Sequence, residues 1–106
     1  MVRDKGCGDI RESEIGSVIT IAGWVFRRRD HGGLIFIDLR DRSGLCQIVF
    51  SPDVAADAHE NAHDLRAEYV IAVTGEIRKR PEGTENANLP TGMIEMYVKK
   101  LEVMNE

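Results

Sequence analysis

The 106-residue sequence predicts an all-β domain of five strands with one helix between the third and the fourth. Three observations support this prediction: alternating apolar segments, glycine-containing turns between the first three of them, and one alanine-rich segment at helical spacing. Hydrophobic residues make up 42% of the chain and charged residues 30%, which is typical of a folded chain with one modest core. We therefore expect residues 1–106 to form a single domain.

The first three predicted strands follow one another closely. Residues 18–28 are rich in β-forming side chains, and Gly23 among them indicates a bulge or bend of the kind that a closed barrel needs. Residues 34–41 alternate strictly, with isoleucine and leucine on one face and Phe36 on the other. Residues 45–50 alternate in the same way after a glycine-containing turn, which predicts a hairpin.

The second half of the chain predicts the helix and the last two strands. Ser51 can cap the helix, Pro52 suits its first position, and alanines continue at helical spacing to Leu65. Residues 69–78 and 93–103 are predicted as the fourth and fifth strands. This order is that of the five-stranded OB-fold Greek-key barrel, which binds oligonucleotides on strands two and three and on the flanking loops. A sandwich of a sheet and a helix is the alternative.

The charge distribution indicates one local basic face. A formal net charge of −4 argues against a protein that coats nucleic acid without sequence preference, since such a protein would be broadly basic. Basic residues nevertheless cluster at 27–29 and at 78–80. No apolar run approaches the roughly 18 residues of a membrane span, and the N-terminus lacks the apolar core of a signal peptide. A cytoplasmic location and no membrane contact are expected.

Metal binding and catalysis find little support in the sequence. Cys7 and Cys46 are interpreted as reduced thiols, Cys46 as a core residue. His59 and His63 match the HExxH zinc pattern, but no third ligand is evident, so an exposed helix face is favoured and no metal is expected. Because the chain contains no phosphate-binding glycine loop and no nucleophile elbow, we expect no catalytic site and no cofactor in this chain.

Candidate RNA-binding residues lie on the first three strands. Phe36 points away from the apolar face, and a base stacked on such a ring gains about 1–3 kcal/mol. Gln47 falls on the same side if strands two and three pair, and its amide can read a base edge. Alternation sends Arg27 and Arg29 one way and Arg28 the other, which makes Arg29 a better candidate than Arg28. The alternatives are a second apolar cluster, a solvated glutamine and a basic strand edge that discourages aggregation.

Further candidates lie near the loop between strands four and five. Arg78 and Arg80 leave strand four with the same side parity, at the mouth of the loop over residues 81–92. Glu95 follows near the start of strand five. A carboxylate is unfavourable beside phosphate unless it accepts hydrogen bonds from a base, as from a guanine edge.

Two long segments resemble the N-terminal anticodon-binding domain of bacterial aspartyl-tRNA synthetase. They read GWVFRRRDHGGLIFIDLRDRSGLCQIVF and LRAEYVIAVTGEIRKRPEGTENANLPTGMIE, and the similarity extends from Gly8 to about Leu101. The RRRDxGGxIFIDLRD pattern is highly specific, whereas asparaginyl and lysyl enzymes share the fold with less of the detail. The resemblance implies a homodimeric class II enzyme that joins aspartate to its tRNA with ATP and Mg²⁺. Its catalytic domain would lie C-terminal to this one, so the chain is interpreted as an excised domain.

The resemblance also implies roles for individual residues. Phe36 matches the residue that stacks on the central anticodon uracil, and Gln47 and Arg29 match those that read its edges. Arg80, with Arg78 nearby, matches the arginines around the third base. The acidic residue at the first, guanine-type base is matched by the glutamate at the start of strand five, Glu95.

A last hypothesis concerns the choice between two tRNAs. The anticodons for aspartate and asparagine differ only in the third base, C or U, and some bacterial relatives accept both tRNAs. His31 and Gly83 lie in the turn and the loop that are expected to flank this base, so we hypothesise that they mark an enzyme that also charges the asparagine tRNA. Two other functions stay open: a standalone single-strand-binding protein without sequence preference, and a protein-interaction or dimerisation module.

Overall fold

Five strands and one helix follow one another in the order that the sequence predicts. The structure, a computed structural model, describes residues 4–105, so the first three residues of the N-terminus, on which the signal-peptide prediction partly depends, lie outside the described part. The elements are β1 (Val18–His31), β2 (Leu34–Asp41), β3 (Gly44–Phe50), α1 (Ala56–Ala62), β4 (Val70–Lys79) and β5 (Ile94–Asn105). Two 3-10 turns, Cys7–Asp9 and Glu12–Glu14, precede them. Within residues 4–105, no helix is long and apolar enough to cross a membrane.

The strands close into a barrel in the order β1-β2-β3-β5-β4. Neighbouring strands are antiparallel except β3 and β5, which are parallel. The barrel can close because β1 is long: its first half pairs with β4 and its second half with β2. This topology confirms the predicted OB-fold barrel and excludes the sandwich of a sheet and a helix.

The bend in β1 differs in position from the prediction. The pairing of β1 with β2 shifts register between Val25 and Arg27, so the bulge lies beyond Gly23. Gly23 is needed for another reason: a Cβ atom there would lie 2.3 Å from the carbonyl oxygen of Arg40. Glycine therefore permits β1 to approach β2 closely where it changes partners.

The core lies inside the barrel and follows the two-residue period of the strands. Ile37 of β2, Ile48 of β3 and Val73 of β4 are fully buried, as the alternation predicts. Ala62 on α1 joins the same core cluster. Cys46 is also buried, and burial raises the pKa of its thiol to about 12, which confirms its interpretation as a core residue.

The helix begins later than predicted. Its N-cap is Ala55, so Ser51 does not cap it and Pro52 does not occupy its first position. Ser51 instead closes a turn: its carbonyl accepts hydrogen bonds from the N–H groups of Val54 at 3.1 Å and of Ala55 at 3.0 Å. Its hydroxyl accepts a bond of 3.3 Å from the N–H of Asp53. Because Ser51 is buried at the end of β3, one turn of chain is used before α1 starts.

Asp41, at the end of β2, connects the N-terminal segment to the hairpin between β2 and β3. Its carboxylate accepts hydrogen bonds from the N–H of Cys7 at 2.9 Å and from the N–H of Ser43 at 2.8 Å. The Ser43 hydroxyl donates a third bond at 2.5 Å. Burial alone would raise the pKa of Asp41, but the bonds from Ser43 and Cys7 outweigh it and hold this pKa below its ordinary value.

Replacing Asp41 should make stability less dependent on pH. The ionised carboxylate stabilises the fold above its ordinary pKa of about 4, and this contribution is lost as the pH falls through the lower folded pKa. We expect Asp41→Asn to lower the free energy of unfolding by about 1–3 kcal/mol at pH 7 and by less near pH 3. Urea unfolding at both pH values measures this. The exposed Asp53→Asn variant is the control, and an equal loss at both pH values would contradict the assignment.

Candidate nucleic-acid interface

A cleft of about 540 Å³ lies between the outer face of β1, β2 and β3 and the loop that joins β4 to β5. Six of the residues predicted from the sequence line it: Arg27, Arg29, His31, Phe36, Gln47 and Arg80. The other three, Arg78, Gly83 and Glu95, lie outside its lining. The cleft therefore unites most of the predicted site on one face of the barrel.

Strand pairing explains why these side chains meet. Arg29 is paired with Phe36, Phe36 with Val49, and Val49 with Tyr97, so the four form one row across the outer face. In the next row Arg27 is paired with Asp38 and Asp38 with Gln47. Paired residues on adjacent strands, about 4.8 Å apart, have side chains on the same face of the sheet.

The centre of the cleft is an arginine–aromatic pair. The Cζ atom of Arg29 lies 5.1 Å from the centroid of the Phe36 ring, within the range of a cation–π contact. Phe36 is half-buried on the face opposite Ile35 and Ile37, and Arg29 is exposed. Arg29 Nη2 also lies 3.5 Å from Oε1 of Gln47, which is a weak contact. The arrangement offers a ring for stacking and a guanidinium whose donors are still available to a ligand.

A buried hydrogen bond fixes the floor beside this pair. Nε2 of Gln47 donates a bond of 2.8 Å to Oε1 of Glu95, and the two residues are only 8% and 2% exposed. Since a carboxylate oxygen accepts the bond, the amide of Gln47 must turn its nitrogen toward Glu95 and its oxygen toward the cleft.

Burial, reinforced by the neighbouring Glu95, raises the pKa of Tyr97.

The two arginines near the end of β4 occupy different environments. Arg80 is 6% exposed: its Nε donates to the carbonyl of Ile94 at 2.9 Å and its side chain reaches the cleft. Arg78 is exposed, with its Cζ 4.2 Å from the ring centroid of Tyr97 and its Nε 2.9 Å from Glu76. The predicted common side parity therefore does not bring both into the cleft, because β4 ends at Lys79, between them.

Arg28 faces away from its neighbours Arg27 and Arg29, as the alternation predicts, and it has a structural role that the sequence did not predict. Its Nη1 donates to three carbonyl groups at the C-terminal end of α1: Ala62 at 3.1 Å, His63 at 2.9 Å and Leu65 at 2.9 Å. Ala62 is the last residue of α1, and a cation at the C-terminal end of a helix is favoured by the helix dipole. Asp30 pairs with the same guanidinium and raises the pKa of Arg28. Arg28 thus joins β1 to α1 while its neighbours face the cleft.

The three histidines also lie in two places, one at the cleft and two at α1. His31 is exposed at the end of β1 and lines the cleft. His59 on α1 lies with its Nε2 2.8 Å from the carbonyl oxygen of Gly33, and its ring meets that of His63 edge-on at 4.9 Å. Within the described range 4–105, no three His, Cys, Asp or Glu side chains are grouped so that they could hold a metal ion.

The loop between β4 and β5 supplies residues that the sequence did not single out. These are Thr84, Glu85, Asn86 and Leu89, with Asp38 added from β2. Gly83 does not line the cleft, but it adopts a φ of 90° and its N–H donates to Glu85 at 2.8 Å, so it orients a lining residue. Asp38 could have been found, since it alternates with Phe36. The loop residues could not, because their placement depends on long-range contacts of an irregular segment.

Comparison with known families identifies the type of domain. The model of the family described as an OB-fold nucleic acid binding domain matches residues 19–104. This chain belongs to that family. The cleft of this OB-fold lies on the face of β2 and β3, where such barrels bind oligonucleotides.

Curated relatives of this OB-fold domain include two bacterial proteins named aspartate–tRNA(Asp/Asn) ligase. The one from Thermodesulfovibrio yellowstonii is 60% identical over 105 residues, which cover 99% of this chain and 18% of the relative. The one from Heliobacterium modesticaldum is 61% identical over 98 residues, covering 92% of this chain and 16% of the relative. The chain thus spans less than a fifth of the length of these relatives. They confirm the resemblance found from the sequence.

A solved structure shows the same architecture. Asparaginyl-tRNA synthetase from Pyrococcus horikoshii, complexed with asparaginyl-adenylate, superposes on this OB-fold domain with a TM-score of 0.81 and 28% identity. The match covers 99% of this chain and 23% of that one. The barrel is therefore shared with a synthetase whose name gives a different amino acid from that in the names of the curated relatives.

Two adjacent arginines of the OB-fold provide a matched test of its two faces. We expect Arg28→Ala to lower the free energy of unfolding by about 1–3 kcal/mol, since charge-assisted bonds to helix carbonyls are lost. Arg27→Ala should leave stability within about 0.5 kcal/mol. Denaturant unfolding of both variants measures the difference. Equal stability of the two would contradict the structural role of Arg28.

Proposed function

We propose that this chain is the anticodon-binding domain of an aspartate–tRNA ligase and that the cleft selects the anticodon. The observation that carries the proposal is the placement of the Arg29–Phe36 pair beside Gln47 on the floor of one cleft. A stacking ring next to base-edge readers is the arrangement by which proteins recognise unstacked RNA bases. The aspartate–tRNA(Asp/Asn) ligases that are similar over almost the whole chain support it.

The geometry suggests how the central base is chosen. In this proposal the base stacks on Phe36, and Oε1 of Gln47 accepts a hydrogen bond from N3–H of uracil. Glu95 fixes the amide in the orientation that offers this acceptor. Cytosine has no proton on N3, so it would cover the amide oxygen without donating a hydrogen bond to it. Arg29 donates to a carbonyl oxygen of the uracil, as its proximity to both Phe36 and Gln47 allows.

The two outer bases of the anticodon are assigned to side chains near the cleft. Arg80 faces the cleft from the β4 side and is proposed to contact the third base. Arg78 lies nearby on the surface and is proposed to add positive charge at the same base. Glu95 lies behind Gln47 and outside the cleft lining, and its proposed contact, accepting hydrogen bonds from the first, guanine-type base, follows from the family resemblance. Arg27 and the other exposed arginines supply phosphate contacts, which make binding dependent on salt.

The remaining proposals concern the whole enzyme. It attaches aspartate to tRNA with ATP and Mg²⁺, in a catalytic domain that this chain does not include, and it acts as a cytoplasmic homodimer. The names of the relatives and the small share of their length that the chain covers support this division of labour. No residue of this chain is assigned to ATP, Mg²⁺ or the amino acid.

We further propose that the enzyme charges the asparagine tRNA as well. His31 lines the cleft and is exposed, and Gly83 orients Glu85, another lining residue. Both residues are therefore close to where a third anticodon base could lie. Relatives named for both tRNAs support the proposal.

Removing the stacking ring tests the anticodon proposal. Phe36→Ala should weaken binding of an aspartate anticodon stem-loop by about 1–3 kcal/mol, because a base loses its stacking partner. Fluorescence titration measures this, and thermal unfolding checks that the barrel remains intact. Val103→Ala, which truncates an exposed side chain of β5, is the control.

Two outcomes would contradict the proposal. One is an unchanged affinity of Phe36→Ala for the stem-loop. The other is equal affinity of the unmodified chain for the stem-loop and for a generic oligonucleotide of the same length, which favours a single-strand-binding protein without sequence preference. Replacing the central uracil by cytosine should weaken binding to the unmodified chain, because Gln47 loses the N3–H donor.

Aminoacylation by the full-length enzyme tests the relaxed specificity. We expect both the aspartate and the asparagine tRNA to be charged with aspartate. His31→Ala should change the ratio of kcat/KM for the two tRNAs by about fivefold, roughly 1 kcal/mol. His63→Ala, which alters an exposed histidine at the C-cap of α1, should not change it. Strict rejection of the asparagine tRNA would contradict the proposal.

A further inference from the structure

Phe26 is an exposed aromatic residue with no role in the core. It is 44% exposed, and it is the one aromatic among the exposed large hydrophobic residues of the described range 4–105. The guanidinium of Arg40 covers its ring, with Cζ 4.8 Å from the ring centroid. This pair has the same composition as the Arg29–Phe36 pair in the cleft.

The pair lies on the same outer face of the barrel as the cleft. Phe26 lies at the bulge of β1 and directly precedes Arg27, which lines the cleft. Arg40 lies on β2 two residues beyond Asp38, another lining residue, and therefore on the same face. At about 3.3 Å per residue, Phe26 is roughly 10 Å along β1 from Arg29. The Phe26–Arg40 patch thus extends the cleft along the strands.

The charge of this patch is available to a ligand. Among residues 4–105, the Arg40 side chain contacts the Phe26 ring and forms no ion pair. Arg27, between the patch and the cleft, also has no ion pair within the described residues. In a chain whose net charge is −4, uncompensated arginines on one face favour a polyanion over a neutral or basic protein partner.

We propose that Phe26 and Arg40 bind one unpaired nucleotide of the RNA outside the three anticodon bases. The base packs against the Phe26 ring and the phosphate pairs with Arg40, an arrangement that fits the stacking and ion-pairing chemistry of the two groups. The inference rests on the proposed function, since it requires an RNA loop in the cleft. Continuity with the cleft and the unpaired arginines favour RNA over a protein partner at this patch.

Binding of the 106-residue chain to the aspartate anticodon stem-loop tests the proposal. Phe26→Ala should weaken binding about 5- to 20-fold, toward the lower end of the range for a base–aromatic stack. The loss should disappear with a stem-loop that is abasic at one loop position outside the anticodon, because that RNA lacks the stacked base. Val18→Ala, which shortens an exposed side chain at the other end of β1, is the matched control and should bind as the unmodified chain does.

Arg40→Gln provides a second, independent measurement. Loss of one phosphate contact should reduce the slope of log affinity against log salt concentration by about 0.7. Thermal unfolding of both variants confirms that the barrel is intact. If Arg40 had only a structural role, Arg40→Gln would lower stability and leave the salt slope unchanged. That result would overturn the proposal.

Phe36→Ala separates failure of this proposal from failure of the anticodon proposal. Normal RNA affinity of Phe26→Ala and Arg40→Gln, with a loss in Phe36→Ala, overturns the second nucleotide site alone. A loss in Phe26→Ala that is equal for every abasic stem-loop overturns it as well. Normal affinity of Phe36→Ala overturns the anticodon proposal itself.

Discussion

The structure depends on one constraint: β1 must pair with two different strands for the barrel to close. Its first half is bound to β4 and its second half to β2, and the absence of a side chain at Gly23 permits the close approach at the change of partner. After the bulge, the strand continues as the wall of the cleft. Barrel closure and cleft formation thus depend on the same bend in β1, because the part of β1 beyond the bulge both pairs with β2 and directs Arg27 and Arg29 into the cleft.

The alternation of strand residues then gives the two faces of the sheet different roles, one in the core and one in the cleft. Ile35 and Ile37 fill the core, while Phe36 between them faces the cleft. In the same way Arg28 is bound to the C-terminal end of α1 while its neighbours remain available to a ligand. A shift of one residue in the register of β2 would exchange these faces and remove both core and site. The stability of the barrel and the composition of the cleft are therefore coupled through register.

The two-residue period of the strands also determines how much of the structure can be predicted from the sequence. The bounds of β2 and the outward orientation of Phe36 depend on alternation alone, and the sequence predicts both correctly. The predicted start of α1 was wrong. Ser51 is buried and closes a turn because of its three-dimensional position at the end of β3, which alternation does not show. The different environments of Arg78 and Arg80 were missed because alternation ends with the strand. The loop between β4 and β5 has no period, so its lining residues could not be read from the chain.

The floor of the cleft contains one hydrogen bond that would favour selective binding. Gln47 could offer a base either an oxygen or a nitrogen, and a freely rotating amide would offer both. The bond to Glu95, buried on β5, holds the amide in one orientation before any ligand arrives. The entropy of ordering this side chain is then lost on folding and not on binding. Because the bond joins β3 to β5, the parallel pair at which the barrel closes, the orientation of this amide depends on closure as directly as the core does.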